Sequence, residues 1–127
     1  MNGLKEIGER ALVAKRALGK LTTGEKNEIL LKAAKALRDN YEVILKANET
    51  DLENGKKAGL KGSIIDRLAL SKDRIYGMAD GLEQIAKLPD PIGEVINMKT
   101  LPNGLIVGQK RVPMGVIGII YEARPNV

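Results

Sequence analysis

The spacing of apolar residues changes once along this chain, at the segment Leu88-Pro89-Asp90-Pro91. Before this segment, apolar residues recur at three- and four-residue steps, which is the period of amphipathic helices. After it, apolar residues form short runs bounded by Pro, Asn and Gly, which is typical of β-strands. Because the residue before a proline is driven away from helical backbone angles, the two prolines end the last helix. We therefore predict a helical part over residues 1–91 and strands after it.

Helix starts within the first part are predicted from capping residues. In a capping box, the first side chain accepts a hydrogen bond from an amide of the first turn while an acid reaches back to the cap amide. Two such boxes and two single caps separate five predicted helices. These caps are Thr22-Thr23-Gly24-Glu25, Asp39-Asn40, Ser63-Ile64-Ile65-Asp66 and Ser71.

One polar tetrad in the third predicted helix resembles a ligand set: Asn48-Glu49-Thr50-Asp51. The chain has neither Cys nor His to complete a transition-metal site. The flanking residues Val43, Ile44 and Leu52 already carry the apolar spacing of the helix. We therefore interpret the tetrad as the solvated face of that helix and predict no metal site.

An antiparallel hairpin is predicted over residues 92–113. Asn103-Gly104 is a strong signal for a two-residue turn, because both positions of such a turn require a positive φ, which Asn and Gly tolerate. With that loop, Leu101 lies opposite Ile106 and Val95 lies opposite Val112. Two strands alone are only marginally stable in water, so this ribbon is expected to pack on helices or on another subunit.

The last apolar run, residues 116–121, has no polar alternation. Such continuity marks a strand that is buried on both faces, as in the parallel sheet of an α/β domain. A strand of this kind needs neighbouring strands and covering helices, so we expect the sequence to stop within a domain. Residues 114–127 are accordingly predicted to begin a sheet that is incomplete.

Composition excludes several functions. Without Cys or His the chain has no thiolate nucleophile and lacks the commonest general base. Only three aromatic residues are present, Tyr41, Tyr76 and Tyr121, and they are too scattered in sequence to form a base-stacking face. The net charge of +5 arises within residues 1–38, where nine Lys/Arg accompany four Asp/Glu. No nucleic-acid or membrane partner is predicted, and no signal peptide is found, so a cytoplasmic location is expected.

Two residues near the end are candidates for a binding or catalytic site. In an open parallel sheet, ligands bind beyond the carboxyl ends of the strands, and Arg124 and Asn126 follow the last predicted strand. An Arg guanidinium can grip a phosphate or carboxylate, and an Asn amide can donate to an oxyanion. Spacing alone also fits a loop arginine paired with an acid and an asparagine that caps the next helix.

The stretch KRVPMGVIGIIYEARPNV, at residues 110–127, resembles the gamma-glutamyl phosphate reductase family, also called glutamate-5-semialdehyde dehydrogenases, of the aldehyde dehydrogenase superfamily. The resemblance extends to LPNGL at 101–105, ANETD at 47–51 and IIDRL at 64–68. It implies an α/β, aldehyde dehydrogenase-like fold. Within that fold, this chain supplies an N-terminal helical layer (1–91), a projecting oligomerisation ribbon (92–113) and the first strand of the dinucleotide-binding sheet (114–127).

The resemblance also implies an activity for the whole enzyme. Members use NADPH to reduce L-glutamyl 5-phosphate to L-glutamate 5-semialdehyde and phosphate in proline biosynthesis, through a thioester on a catalytic cysteine. That cysteine and most of the cofactor surface lie beyond the matching part, so this chain alone is expected to be inactive. Asn126 resembles the superfamily asparagine that donates to the oxyanion, although its Glu-Ala-Arg-Pro-Asn setting departs from the commoner Pro-Trp-Asn form.

A second hypothesis of a different class is a free-standing helical interaction module. In that case the basic helices of residues 1–38 bind an anionic partner and the hairpin dimerises. The reductase hypothesis predicts a homo-oligomer through residues 92–113 and a small-molecule substrate, with no residue here assigned to the cofactor.

Overall fold

The computed structural model describes residues 2–121 and 124–126, so Glu122, Ala123 and Val127 of the predicted motif lie outside the described residues. Helices come first and a two-stranded antiparallel sheet follows, as the change of apolar spacing predicts. The elements are α1 (Asn2–Leu18), α2 (Thr23–Asp39), α3 (Tyr41–Lys57), α4 (Gly62–Leu68), α5 (Lys72–Ala86), β1 (Val95–Thr100) and β2 (Ile106–Lys110).

The described residues group into two compact units. The first contains α1, the residues up to Thr23 and Pro89–Gly118, which include both strands. The second contains Gly24–Leu88, with α2 to α5, and the described residues from Ile119 onward. This grouping follows contacts rather than chain order. The predicted division at residues 91 and 113 stays a prediction.

Small residues form the centre of the second unit. Ala34 of α2 and Ile75 and Ala79 of α5 are completely buried. Gly55 of α3 is buried as well, and a Cβ there would lie 3.0 Å from the Ile65 Cδ1 atom of α4. A side chain at this position would force the methyl groups of Ile65 and Leu60 to shift, so the glycine allows α3 and α4 to pack closely.

Arg38, near the end of α2, fastens this helix to α5. Its two terminal nitrogens donate separately to the carboxylates of Asp80 and Glu83, which lie three residues apart on α5. These two hydrogen bonds raise the pKa of Arg38 above its ordinary value, with the Glu83 bond as the larger cause. A guanidinium suits this role because its planar nitrogens reach two acceptors at once.

Two tyrosines that lie far apart in sequence, Tyr41 and Tyr76, meet beside that ion pair. The rings of Tyr41 and Tyr76 pack edge to face with centroids 6.1 Å apart. The Lys72 ammonium lies 4.8 Å from the first ring centroid and 5.3 Å from the second, and the Arg38 guanidinium lies 5.9 Å from the second. Edge-to-face packing and these cations leave no stacked pair of open ring faces.

The predicted caps differ in outcome. Ser71 is the N-cap of α5, and its Oγ accepts a hydrogen bond from the Arg74 amide at 3.2 Å, so this prediction is confirmed. The capping box at Ser63 is wrong, because α4 begins at Gly62 after an extended Lys61 and contains Ser63. Asn40 is the N-cap residue of α3, but its side chain makes no capping hydrogen bond; its Nδ2 donates instead to the Ala36 carbonyl of α2.

The hairpin forms, but its loop has three residues rather than two. The Leu101 amide donates to the Leu105 carbonyl at 2.8 Å, which leaves Pro102, Asn103 and Gly104 in the loop. The Gly104 amide donates to the Leu101 carbonyl at 2.9 Å and closes a four-residue turn. Proline is favoured at the second position of such a turn and glycine at the fourth, where φ is +85°.

This longer loop changes the register of the strands. Thr100, rather than Leu101, lies opposite Ile106, and Val95 lies opposite Lys110 rather than Val112. Part of the shift in the partner of Val95 comes from a bulge between Val95 and Asn97, which leaves Ile96 as an extra residue on β1. Every residue of both strands is exposed.

Segment 116–121 is not the buried strand that its apolar run predicts. It has no strand pairing with any described residue, and Ile117, Ile119 and Ile120 are exposed. A strand requires a hydrogen-bonded neighbour, and the only ladder among the described residues joins β1 to β2. That this segment begins a dinucleotide-binding sheet stays a prediction.

Among the described residues, no helix is both long enough and apolar enough to span a membrane.

Replacing Gly104 with Ala is expected to destabilise the first unit by about 1 kcal/mol, because the backbone at φ +85° places a Cβ against the following carbonyl. The matched change Gly8→Ala, within α1, is expected to stabilise by about 0.5–1 kcal/mol, because no atom lies within 4 Å of the new Cβ and alanine favours helices. Thermal unfolding of both variants measures whether their melting temperatures shift in opposite directions. Shifts of equal sign would contradict this account of the turn.

Candidate functional site

A cavity of about 840 Å³ lies within the second unit. The end of α2, the residues from α4 to the start of α5, one side of α5 and the described residues after Tyr121 all contribute to its wall. The wall is formed by Leu37, Asp66, Arg67, Ala69, Leu70, Arg74, Gly77, Met78, Gly81, Leu82, Ile85, Arg124 and Asn126.

The two candidates from the sequence meet here. Arg124 and Asn126 both line the cavity, are exposed, and are separated by the half-buried Pro125 of a turn. The structure therefore brings them to one site and adds three charged residues that spacing did not indicate, namely Asp66, Arg67 and Arg74. From the sequence, Asp66 was predicted only as part of a capping box and Arg67 only as part of the family-like segment IIDRL at 64–68. Its charged pair carries no periodicity that distinguishes it from an ordinary helix surface.

Positive charge dominates the polar part of the wall. Three arginines and one aspartate give the lining a formal charge of +2. The rest of the wall is aliphatic, with Met78 and Leu82 among its side chains. A site with this composition suits a small anion that carries a short apolar chain, because the arginines bind the charge and the aliphatic wall covers the chain.

Arg74 holds the backbone between α4 and α5. Its Nη1 donates to the carbonyl of Asp66 at 2.8 Å and to that of Ala69 at 2.5 Å. Its Nη2 lies 3.9 Å from the Asp66 carboxylate. Its Nη1 is therefore hydrogen-bonded to the backbone, and its Nη2 makes only a long ion-pair contact. Because the two carbonyls flank Arg67 and Leu68 in sequence, the bonds fix the backbone from which the Arg67 side chain extends.

Asn48 holds the same segment from α3. Its Nδ2 donates to the Leu68 carbonyl at 2.9 Å, and its Oδ1 accepts from the Leu70 amide at 2.8 Å. Asn48 is only 4% exposed, so the prediction that it belongs to a solvated polar face is wrong. The other three residues of the tetrad, Glu49, Thr50 and Asp51, are exposed as predicted. Both hydrogen-bonding functions of the amide are used because a buried polar group needs partners.

Two glycines of α5 open the cavity wall. Gly77 and Gly81 lie four residues apart on the helix, and no atom is found within 4 Å of a Cβ built on either. Glycine in a helix interior costs about 0.5–1 kcal/mol relative to alanine. These glycines leave space beside the arginines where alanine would fill part of the cavity.

No group of three or more metal-ligating side chains occurs in the described part of the chain.

Comparison with known proteins gives one consistent result. The chain is 50% identical over all of its 127 residues to a gamma-glutamyl phosphate reductase of Carboxydothermus hydrogenoformans, of which it covers 31%. It is 56% identical over 120 residues to the same enzyme of Moorella thermoacetica, covering 94% of this chain and 29% of that protein. The crystal structure of the Thermotoga maritima reductase superposes with a TM-score of 0.91 at 42% identity, covering 97% of this chain and 30% of that one.

The chain matches the N-terminal region of gamma-glutamyl phosphate reductase structures. The similarity implied by the sequence motifs is thereby confirmed. The yeast reductase structure, from Saccharomyces cerevisiae, agrees with a TM-score of 0.79 at 33% identity, covering 89% of this chain and 29% of that one. The chain spans about 30% of the length of the curated gamma-glutamyl phosphate reductases it matches. No family model matches the sequence.

Replacing Asn48 with Ala is expected to lower the free energy of unfolding by about 1–3 kcal/mol, because the Leu68 carbonyl and the Leu70 amide lose their partner. Asn54→Ala is the matched control, since Asn54 lies on the same helix, is exposed, and shares the small gain in helix propensity. Urea unfolding measures both. Equal changes in the free energy of unfolding for the two substitutions would show that the Asn48 side chain does not stabilise the backbone at Leu68 and Leu70.

Proposed function

We propose that this chain is the N-terminal part of an NADPH-dependent reductase of proline biosynthesis. The reaction converts L-glutamyl 5-phosphate to L-glutamate 5-semialdehyde and inorganic phosphate. The observation that carries the proposal is the similarity to gamma-glutamyl phosphate reductases over the whole chain at about 50% identity. The arginine-rich cavity that contains Arg124 and Asn126 supports it, because the substrate is a small anion with a short aliphatic chain.

In this proposal the remaining two thirds of the enzyme supply the nucleophile. A cysteine thiolate outside this chain attacks the acyl phosphate, and the phosphate leaves with the electrons of the broken carbon–oxygen bond. NADPH, when bound, supplies the hydride that reduces the resulting thioester. None of the residues of this chain is assigned to the cofactor. The chain by itself is expected to form no NADPH from semialdehyde, phosphate and NADP, because it contains no cysteine.

Asn126 has a specific role in the proposal. When the thiolate or the hydride adds to the substrate carbonyl, negative charge develops on the carbonyl oxygen. The Asn126 side-chain amide donates a hydrogen bond to that oxygen, and the bond strengthens as the charge grows. Arg124, two residues away on the same cavity wall, binds the substrate's phosphate or carboxylate. A cytoplasmic location and the absence of nucleic-acid and membrane partners, as predicted from composition, belong to the same proposal.

The ribbon of β1 and β2 is proposed to join subunits into a homo-oligomer. All residues of both strands are exposed, including Ile106 at 67% and Met98 at 59%. An isolated two-stranded hairpin has little stability in water, and exposed apolar side chains on it are stabilised when a second surface covers them. This supports the interpretation that the ribbon packs against another copy of the enzyme.

In the complete enzyme, Asn126→Ala is expected to lower kcat about a hundredfold to a thousandfold with little change in KM, because the lost hydrogen bond acts mainly in the transition state. Melting temperature and kcat are measured on the same preparation. If Asn126 only caps a helix, the substitution lowers stability by about 1 kcal/mol and leaves kcat near that of the parent enzyme. That outcome would remove Asn126 from catalysis.

Placing a lysine at Ile106 in the complete enzyme is expected to produce a more slowly sedimenting species, because burying an unpaired ammonium in an interface is costly. Thr50→Lys introduces the same residue at an exposed site of α3 and is expected to leave the sedimentation coefficient unchanged. Analytical ultracentrifugation compares the two variants. Unchanged sedimentation of the Ile106 variant would exclude the ribbon as the subunit contact.

A further inference from the structure

The arginines of the cavity differ in their partners. Arg74 donates to two backbone carbonyls and faces the Asp66 carboxylate, so its charge is used within the protein. Arg67 and Arg124 line the same cavity, and the side chain of neither makes a hydrogen bond or ion pair with another described residue. The pair therefore provides the free positive charge of the cavity.

The backbone that carries Arg67 is held on both sides. Arg74 binds the carbonyls of Asp66 and Ala69, and Asn48 binds the carbonyl of Leu68 and the amide of Leu70. Four side-chain hydrogen bonds thus fix five consecutive residues around Arg67. An exposed arginine that only increases solubility does not need a fixed backbone. A binding arginine benefits from one, because less freedom is lost when the ligand binds.

The charge of the wall indicates the ligand. The formal charge of +2 matches a phosphate group, which carries about −1.5 to −2 at neutral pH and offers three acceptor oxygens. Each planar guanidinium can donate two parallel hydrogen bonds to such oxygens. A single carboxylate would leave about one positive charge of this wall unbalanced.

We propose that Arg67 and Arg124 together bind the phosphoryl group of the acyl phosphate substrate. This inference rests on the proposed function and adds Arg67 to the substrate-binding residues. In the acyl phosphate, a single bridging oxygen separates phosphorus from the carbonyl carbon. The phosphate site must therefore adjoin the site where the carbonyl reacts, and Asn126, the proposed oxyanion donor, lines the same cavity as both arginines.

A phosphate of the cofactor is the other source of the same chemistry. The phosphates of a nicotinamide dinucleotide lie several bonds from the carbon that carries the hydride. A cofactor phosphate beside the oxyanion donor would move the nicotinamide away from the reacting carbonyl. The shared cavity therefore favours the substrate's phosphoryl group.

The site serves both directions of the reaction. When the thiolate attacks, the carbon–oxygen bond to the phosphate breaks, a carbon–sulfur bond forms, and inorganic phosphate leaves with the bonding electrons. In the reverse direction, inorganic phosphate attacks the thioester and the thiolate leaves. The two arginines bind phosphate as leaving group in one direction and as nucleophile in the other, so inorganic phosphate is the probe for this site.

The test uses the complete enzyme in the oxidative direction, with L-glutamate 5-semialdehyde, NADP and inorganic phosphate varied in turn. Arg67→Gln is expected to raise the KM for phosphate about tenfold to a hundredfold, because the charged hydrogen bonds to phosphate are lost. The KM for NADP is expected to stay unchanged, because Arg67 makes no contact with the cofactor in this proposal. Arg67→Lys is expected to be intermediate, since it keeps the charge without the planar fork. Arg16→Gln, an exposed arginine of α1, removes the same charge elsewhere and is the matched control.

Two kinetic results would overturn the proposal. A raised KM for NADP with an unchanged KM for phosphate would assign Arg67 to the cofactor. Unchanged values for both would make Arg67 a solvated surface residue.

A second measurement separates this proposal from the proposed function. Inorganic phosphate is expected to raise the Tm of the parent enzyme and of the Arg16 variant, but not that of Arg67→Gln. If the enzyme does not oxidise the semialdehyde, the proposed function fails, and this thermal shift still decides the phosphate site. If inorganic phosphate raises the Tm of all three proteins equally, or of none of them, the proposed phosphate site is overturned.

Discussion

The two hydrogen bonds of the Asn48 side chain determine how the cavity is built. They join the middle of α3 to Leu68, the last residue of α4, and to Leu70 in the connection to α5. Backbone groups in such a connection need partners from elsewhere, and the buried amide provides one acceptor and one donor. Arg74 completes the connection from its other side. The positions of Asp66, Arg67 and Leu70 in the cavity wall follow from these bonds.

Much of the fold could be predicted from the spacing of apolar residues and from two prolines. The helices before Leu88, the Ser71 cap and the hairpin around Gly104 depend on short-range rules, and each is found in the structure. The hairpin register was missed because Asn103-Gly104 is a two-residue turn signal by itself. Pro102 fits the second position of a turn that starts one residue earlier, and this backbone preference decided the loop length.

The site was only partly predictable. Arg124 and Asn126 could be singled out because ligand sites follow buried strands, but the cavity they share is formed with α4 and α5, which lie at least 38 residues earlier in the chain. Contacts between residues so far apart in the chain produce no periodic pattern of residues in a single sequence. Asn48 illustrates the limit: its neighbours Glu49 and Asp51 are solvated, and nothing in the tetrad distinguishes the one side chain that points toward α4. Burial of a polar residue depends on the tertiary partner, here the Leu68 carbonyl.

The bulge at Ile96 has a consequence for how exposed strands can assemble. A flat ribbon with two unpaired edges can add further strands at either side without limit, which is the growth mode of fibrils. An extra residue in one strand interrupts the regular series of edge donors and acceptors and bends the ribbon. Strand addition along β1 then ends within a few residues of the bulge. The same irregularity that shifts the register therefore also disfavours open-ended strand addition at this edge of the ribbon.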